Sequence, residues 1–232
     1  MHPSIKRKTS AWCARPFICR SLGCLDGVLA VRDVLFLHER RSLTRRGTTS
    51  MSRTLSGTIP VDIANHLGPS YIAGVIYNGG AVLTLALSVE TIPESFLPLM
   101  QHVQSTDANI VARFAQRFVE GCVADPVSTL PWPVKLQWMG SFAAQPPAVR
   151  TWSHNREQDE TRWRAETGSW PVMLIQGAED THCEAGLLAR QVKGLYGDAE
   201  VHILQGVGHA PHLERPGVVN ELIVDFVEKK RG

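Results

Sequence analysis

Short apolar runs alternate with helix-like patterns along the last third of the chain. Pro171–Gly177 is an apolar run that ends at a glycine, and residues 201–204 form a second such run. Residues 184–196 between them, and the tail after Pro216, place apolar side chains at the three-to-four-residue spacing of amphipathic helices. Strands and helices in this order are typical of an α/β fold with a parallel sheet.

Two segments nearer the N-terminus have the same character. Residues 33–38 (DVLFLH) have the apolar density of a buried parallel strand. Residues 71–83 (YIAGVIYNGGAVL) predict a strand, a close turn at Gly79-Gly80 and the start of an Ala/Leu-rich helix. The sequence therefore predicts further strands of the same sheet on the N-terminal side.

A long insertion, about residues 92–168, separates this unit from Pro171–Gly177. Residues 108–123 predict a helix with one apolar face, for which Asp107 is a suitable N-cap. A short helix at 139–144 is expected after it, in a stretch interrupted by Pro131, Pro133, Pro146 and Pro147. Large apolar side chains, Trp132, Trp138 and Phe142, lie in the same stretch.

An acid and a histidine follow the two C-terminal strands. Asp180 comes just after the first strand and His209 just after the second, 29 residues further on. Because the carboxyl ends of parallel strands meet at one edge of a sheet, the two side chains are expected to lie close together. A carboxylate there can orient an imidazole and make it a general base. The alternative is that Asp180 caps the following helix and His209 sits in a tight glycine turn.

Residues 171–232, with PVMLIQGAED, VHILQGVGHAPHLERPG and VVNELIVDFV in order, resemble the C-terminal part of α/β-hydrolase-fold proteins. The resemblance implies a mostly parallel sheet flanked by helices, with residues 92–168 as a helical cap. It makes Asp180 the acid and His209 the base of a catalytic triad, with no cofactor. The implied activity is hydrolysis of a small, largely apolar ester, amide or related substrate.

The family's nucleophile elbow, G-x-S-x-G, departs from its pattern in this chain. No Ser, Cys or Asp lies between Ala73 and Gly80. Aligned on Gly79-Gly80, the nucleophile position is Tyr77, whose hydroxyl is a poor nucleophile because its unperturbed pKa is about 10. The backbone amide of Asn78 is the expected oxyanion donor. A catalytically inactive relative that binds a small ligand, and a non-functional product of an altered gene with an incomplete sheet, are therefore alternatives.

Charge is unevenly distributed along the chain. Residues 1–53 hold eleven Lys and Arg against three acids, whereas the remainder holds 13 basic and 19 acidic residues. Residues 1–27 are expected to be a basic, disordered arm or a mitochondrial targeting segment, with a cytoplasmic location otherwise. Residues 28–232 are expected to form one domain. No nucleic-acid-binding motif accompanies the basic arm, and no apolar run reaches the ~18 residues of a membrane span.

Cysteine and histidine spacing predicts no metal site. Cys13, Cys19 and Cys24 fit no zinc pattern, and the chain has no CxxC or HxxxH pair. The remaining histidines of interest are expected to be surface or structural residues: His102, His154, His182 and His212.

Overall fold

A five-stranded sheet forms the centre of the computed structural model, which describes residues 56–80, 83–150 and 157–231 and the backbone of 28–31 and 34–37. In sequence order, which is also the spatial order, the strands are β1 (Val28–Val31), β2 (Val34–Leu37), β3 (Gly74–Asn78), β4 (Pro171–Gly177) and β5 (Asp198–Leu204). Strands β3, β4 and β5 are parallel. The predicted α/β fold is confirmed.

The direction predicted for residues 33–38 is wrong. Strand β2 runs antiparallel to both β1 and β3, pairing Val34 with Tyr77 and Leu37 with Gly74. Two residues separate β1 from β2, and so short a link is compatible only with an antiparallel pair; it accounts for the direction of β2 against β1 but not against β3. The predicted arm at residues 1–27, and His154, lie outside the described residues.

Helices cover the sheet and form a separate layer beside it. They are α1 (Ile59–His66), α2 (Leu85–Thr91), α3 (Leu97–Met100), α4 (Ala108–Glu120), α5 (Pro126–Thr129), α6 (Trp132–Ala143), α7 (Thr161–Glu166), α8 (Ala185–Leu195), α9 (Pro211–Glu214) and α10 (Pro216–Arg231). None of the described helices is long and apolar enough to cross a membrane.

The helix predicted at 108–123 is confirmed, with its cap. Asp107 Oδ1 accepts hydrogen bonds from the amides of Asn109 at 2.8 Å and Ile110 at 3.0 Å. Helix α6 is longer than the predicted short helix at 139–144 because it begins directly after Pro131. Proline is tolerated in the first turn of a helix, where its missing N–H has no partner to lose.

Side chains alternate between the two faces of β3 and β4, and each face has its own core. Val75, Tyr77, Val172 and Leu174 pack in one core with residues from α1, α7 and α8. The opposite face packs against α10, with a core of Ile76, Met173, Ile175, Val219, Ile223, Phe226 and Val227. This two-residue alternation is the geometry of a strand buried on both faces, and it confirms the tail as a covering helix.

A third core lies in the stretch predicted to be a cap. Phe96, Phe114, Phe118, Trp138 and Ala210 are among its buried members. Its Arg150 is also buried, and the guanidinium donates to the carbonyls of Val103, Ser105 and Gln145. We call the helices α3 to α6 with this core the helical layer. Helix α7 packs instead against α1, through the first core.

Candidate active site

Asp180 and His209 lie together at the carboxyl ends of β4 and β5. Nδ1 of His209 is 2.9 Å from Oδ2 of Asp180, so the predicted hydrogen-bond contact is confirmed. The close approach depends on Gly177, because a β-carbon there would lie 2.1 Å from the carbonyl oxygen of Gly208. Both members of the pair are almost fully buried, with His209 8% exposed.

The Asp180 carboxylate has four hydrogen-bond donors around it. Oδ2 accepts from His209 and from the amide nitrogen of Gln176. Oδ1 accepts from the backbone N–H groups of His182 at 2.7 Å and Cys183 at 3.1 Å. Burial acts to raise the pKa of Asp180, but His209 and, to a smaller extent, His182 together outweigh it, and the pKa lies below its ordinary value. The carboxylate is therefore held ionised.

Two glutamates hold the loop that carries His209. Glu179 Oε2 accepts from the amide of Val207 at 2.9 Å. One carboxylate oxygen of Glu214 accepts from the backbone N–H of Gly208. The other accepts from the backbone N–H of Ala124, which follows helix α4 in the helical layer. Burial raises the pKa of Glu214. Both glutamates orient the loop that carries His209 through its backbone, a role for which their spacing in the sequence carries no signal.

The turn after β3 brings its backbone directly under the His209 ring. Gly79 and Gly80 have φ angles of 78° and 54°, in the left-handed region that favours glycine. A β-carbon on Gly80 would lie 1.7 Å from Cε1 of His209, and one on Gly79 would lie 2.3 Å from the His209 carbonyl oxygen. The N–H of Gly80 donates to Oε1 of Gln176 at 2.8 Å, so Gln176 joins this turn to Asp180.

Tyr77, the predicted nucleophile position, directs its hydroxyl elsewhere. The hydroxyl is 2.6 Å from that of Tyr196, which also accepts from Nε1 of Trp163 at 3.3 Å. The side chain is fully buried in the core shared with α8. Burial, reinforced by Tyr196, raises the pKa of Tyr77 well above 10. The phenol is therefore neutral and bonded within the core.

Asn78, the expected oxyanion donor, lies within β3. It pairs with Ile175 of β4, and the next amide along, that of Gly79, donates to the Ile175 carbonyl at 2.9 Å. The Asn78 side chain is buried, and its Oδ1 accepts no hydrogen bond from the described residues. Its role at an oxyanion stays a prediction.

His182 is a member of the site that sequence reasoning missed. It is 4% exposed, and its ring centroid lies 4.6 Å from that of His209. On its other sides the ring contacts Phe96, at 4.5 Å, and Phe118, at 4.6 Å between centroids. Burial and the nearby His209 lower its pKa to about 3. The available signal was its position two residues after Asp180.

Two of the histidines expected to be surface or structural residues, His102 and His212, differ from His182. His102 is exposed and His212 is half-buried, and neither belongs to the group around Asp180. Their expected surface or structural character stands as a prediction.

Comparison with known proteins places the chain in a family. The family model described as Alpha/beta hydrolase family matches residues 17–222. Among solved structures, a putative aryl esterase from Burkholderia cenocepacia is 19% identical with a TM-score of 0.64, over 76% of this chain and 62% of that one. The esterase RhEst1 from Rhodococcus sp. ECU1013 is 17% identical with a TM-score of 0.65, over 75% of this chain and 63% of that one.

These similarities concern the fold. The esterase EaEST from Exiguobacterium antarcticum is a further match, 15% identical with a TM-score of 0.57, over 77% of this chain and 68% of that one. The chain spans 62% and 63% of the lengths of the first two esterases. No curated protein sequence matches it.

Proposed function

The chain belongs to the alpha/beta hydrolase family, and we propose that it hydrolyses a small, largely apolar ester or amide with His209 as general base. The observation that carries this proposal is the buried hydrogen bond between Asp180 and His209. A histidine oriented by an ionised carboxylate is the arrangement that general-base catalysis requires.

Water is the nucleophile in this proposal, rather than a side chain of the elbow. Gly80 presents only its α-carbon to the His209 ring, and the hydroxyl of Tyr77 is bonded to Tyr196. Neither residue can form a covalent acyl intermediate with help from His209. Water therefore attacks the substrate directly, without an acyl-enzyme intermediate. We expect the reaction to be slow because covalent catalysis is absent.

The proton transfers in this reaction follow from the tautomer of His209. Its Nδ1–H donates to Asp180, which leaves a lone pair on Nε2. Nε2 takes a proton from water as the water oxygen attacks the carbonyl carbon, and Asp180 stabilises the resulting imidazolium. When the tetrahedral intermediate collapses, the imidazolium returns that proton to the leaving alcohol or amine. The products are an acid and an alcohol or amine.

The preference for an apolar substrate rests on the helical layer. The aromatic rings of Phe96 and Phe118 reach His182, which in turn contacts His209. The helical layer thus presents apolar side chains toward the Asp180–His209 pair, and they favour ligands of low polarity.

A second candidate is a relative that binds a small ligand without turning it over. It is favoured by the fully glycine turn under His209, where the ring fills the space of a nucleophile's side chain. In this case the Asp180–His209 pair stabilises the loop and the ligand rather than a reaction.

Ester hydrolysis measured on the full chain separates the two candidates. We expect slow turnover of p-nitrophenyl acetate and propionate, lowered about 10²–10⁴-fold by His209→Gln, and no labelling by a fluorophosphonate probe. His102→Gln, on the exposed surface, is the control and keeps the wild-type rate. Equal rates in wild type and His209→Gln favour the non-catalytic candidate, whereas probe labelling of the wild type contradicts water as the nucleophile.

A further inference from the structure

Asp180, His182 and His209 form a cluster of potential metal ligands. One ligand atom from each lies within 4.8 Å of the other two, and this is the one such cluster among the described residues. Its first and last members belong to the candidate active site, and His182 adds a second imidazole on the side of the helical layer. His182 takes no part in the proton transfers proposed for hydrolysis.

The ring of His182 is buried without a hydrogen bond. The backbone of Phe118 lies near the ring, but neither ring nitrogen makes a hydrogen bond within ordinary distance and angle limits to a described residue. Buried polar atoms are satisfied in the great majority of cases. Two unsatisfied nitrogens beside a second imidazole therefore indicate a bound group that supplies the missing partner.

The ring of His182 is 4% exposed, and a neutral imidazole is the form that binds metal ions. The ring packs between Phe96, Phe118 and His209, and the space for it exists because residue 121 is glycine. A β-carbon on Gly121 would lie 2.8 Å from His182 Nε2.

Asp180 fits the role of an outer carboxylate rather than a direct ligand. Both of its oxygens already accept two hydrogen bonds each, including the one from His209 Nδ1. Metal-binding histidines almost always donate their second N–H to such a carboxylate, which fixes the ring and raises its basicity. The dyad thus has the form in which a histidine presents Nε2 to a metal ion.

We propose that His182 and His209 bind a divalent transition-metal ion of the zinc class, with Asp180 orienting His209 from the outer shell. Imidazole nitrogen ligands favour Zn²⁺, Co²⁺, Ni²⁺ and Cu²⁺ over Mg²⁺ and Ca²⁺. Zinc bonds of about 2.0–2.1 Å hold tetrahedral ligand atoms roughly 3.3 Å apart. The ligand atoms of the cluster lie within 4.8 Å of one another, so the two rings must move together to bind the ion. Water fills the remaining positions.

The ion competes with the general base, because both use the Nε2 lone pair of His209. Zinc binding therefore inhibits the hydrolysis proposed above, although the metal site does not depend on that activity. Binding is measured through stability, so it can be tested on a chain with no turnover.

Thermal unfolding of the full chain in ZnCl₂ tests the site. Cys13, Cys19 and Cys24 are replaced by Ser in every variant, because thiolates outside the described residues also bind zinc. At a zinc concentration one hundred times the dissociation constant, linkage predicts a rise in Tm of roughly 5–10 °C. MgCl₂ and CaCl₂ leave Tm unchanged. The cobalt-loaded protein shows visible absorption typical of a low-symmetry Co²⁺ site.

His182→Phe is the decisive variant, since Phe keeps the ring shape among Phe96 and Phe118 but offers no ligand. We expect it to fold, to have a higher Tm without zinc, and to lose the zinc response and the cobalt absorption. His102→Phe, on the exposed surface, is the matched control and retains both. His209→Gln provides a second test of the pair and also loses the response.

Two outcomes overturn the proposal. The first is a wild-type chain without any zinc response, and the second is an equal response in wild type and His182→Phe. If His182→Phe fails to fold, His209→Gln decides in its place: an undiminished cobalt spectrum in that variant places the ion elsewhere.

Discussion

The imidazole of His209 occupies the space in which a side chain on Gly80 would stand. A β-carbon on Gly80 would lie 1.7 Å from Cε1, 2.2 Å from Nδ1 and 2.7 Å from Nε2 of that ring. No side chain fits between the turn and the imidazole while the ring remains bonded to Asp180. The contact therefore couples the glycine turn after β3 to the orientation of His209.

Gly80→Ala should destabilise the chain strongly. The added methyl group collides with the His209 ring, and alanine is strained at a φ of 54°. We expect a loss of about 2–5 kcal/mol in the free energy of unfolding, measured by urea denaturation. Gly140→Ala is the matched control, since no atom lies within 4 Å of the new β-carbon in helix α6. It should stabilise by about 0.5–1 kcal/mol. Equal stabilities for the two variants would contradict the packing described.

Gln176→Met should remove the hydrogen bonds of the Gln176 side chain to the turn at Gly80 and to Asp180. Methionine has a similar volume, but it leaves the Gly80 N–H unpaired and removes a donor from Asp180. We expect a loss of about 1–3 kcal/mol in unfolding free energy and an upward movement of the Asp180 pKa, followed by NMR titration of the carboxyl carbon. Gln191→Met, whose bonds lie near the surface on α8, should change neither quantity appreciably. An unaltered Asp180 titration in Gln176→Met would refute its positioning role.

His182 should make the chain less stable as pH falls from about 6.5. Its pKa is about 3 when folded, against 6.5 when unfolded, so the unfolded state binds the proton first. The stabilising contribution is complete above pH 6.5 and is lost progressively as pH falls toward 3. His182→Phe removes this dependence, so its unfolding free energy should fall less between pH 7 and pH 4.5 than that of the wild type. If the unfolding free energy of both proteins falls equally between pH 7 and pH 4.5, other groups control the loss of stability at low pH.

Tyr77→Ser should not create a reactive serine. The side chain at this position enters the core beside Tyr196 and Trp163, so the new hydroxyl lies away from His209. We expect no fluorophosphonate labelling and a loss of about 3–5 kcal/mol, because a large buried ring is replaced by a cavity. Tyr77→Phe is the control, and it should lose only the hydrogen bond to Tyr196, about 0.5–1.5 kcal/mol. Labelling of the Ser variant would restore Tyr77 as the nucleophile position.

The sequence by itself determined the C-terminal strands and helices, helix α4, and the pairing of Asp180 with His209. Strands β4 and β5 contain short apolar runs. Helices α4, α8 and α10 carry the apolar periodicity that reflects burial of one face. The dyad was predictable because each residue follows its strand by a few positions, and parallel strands bring their carboxyl ends to one edge. These features depend on local chain geometry and on the order of neighbouring elements.

Only the tertiary structure decided where Tyr77, His182 and the turn at Gly80 lie relative to Asp180 and His209. The apolar run of β3 is buried on both faces, so its composition does not reveal which face each side chain occupies. The burial of His182 depends on Phe96 and Phe118, which come from the helical layer more than sixty residues earlier in the chain. The antiparallel direction of β2 against β3 is likewise not contained in its apolar character. Long-range packing and connection length supply this information, and a local pattern of residue types does not contain it.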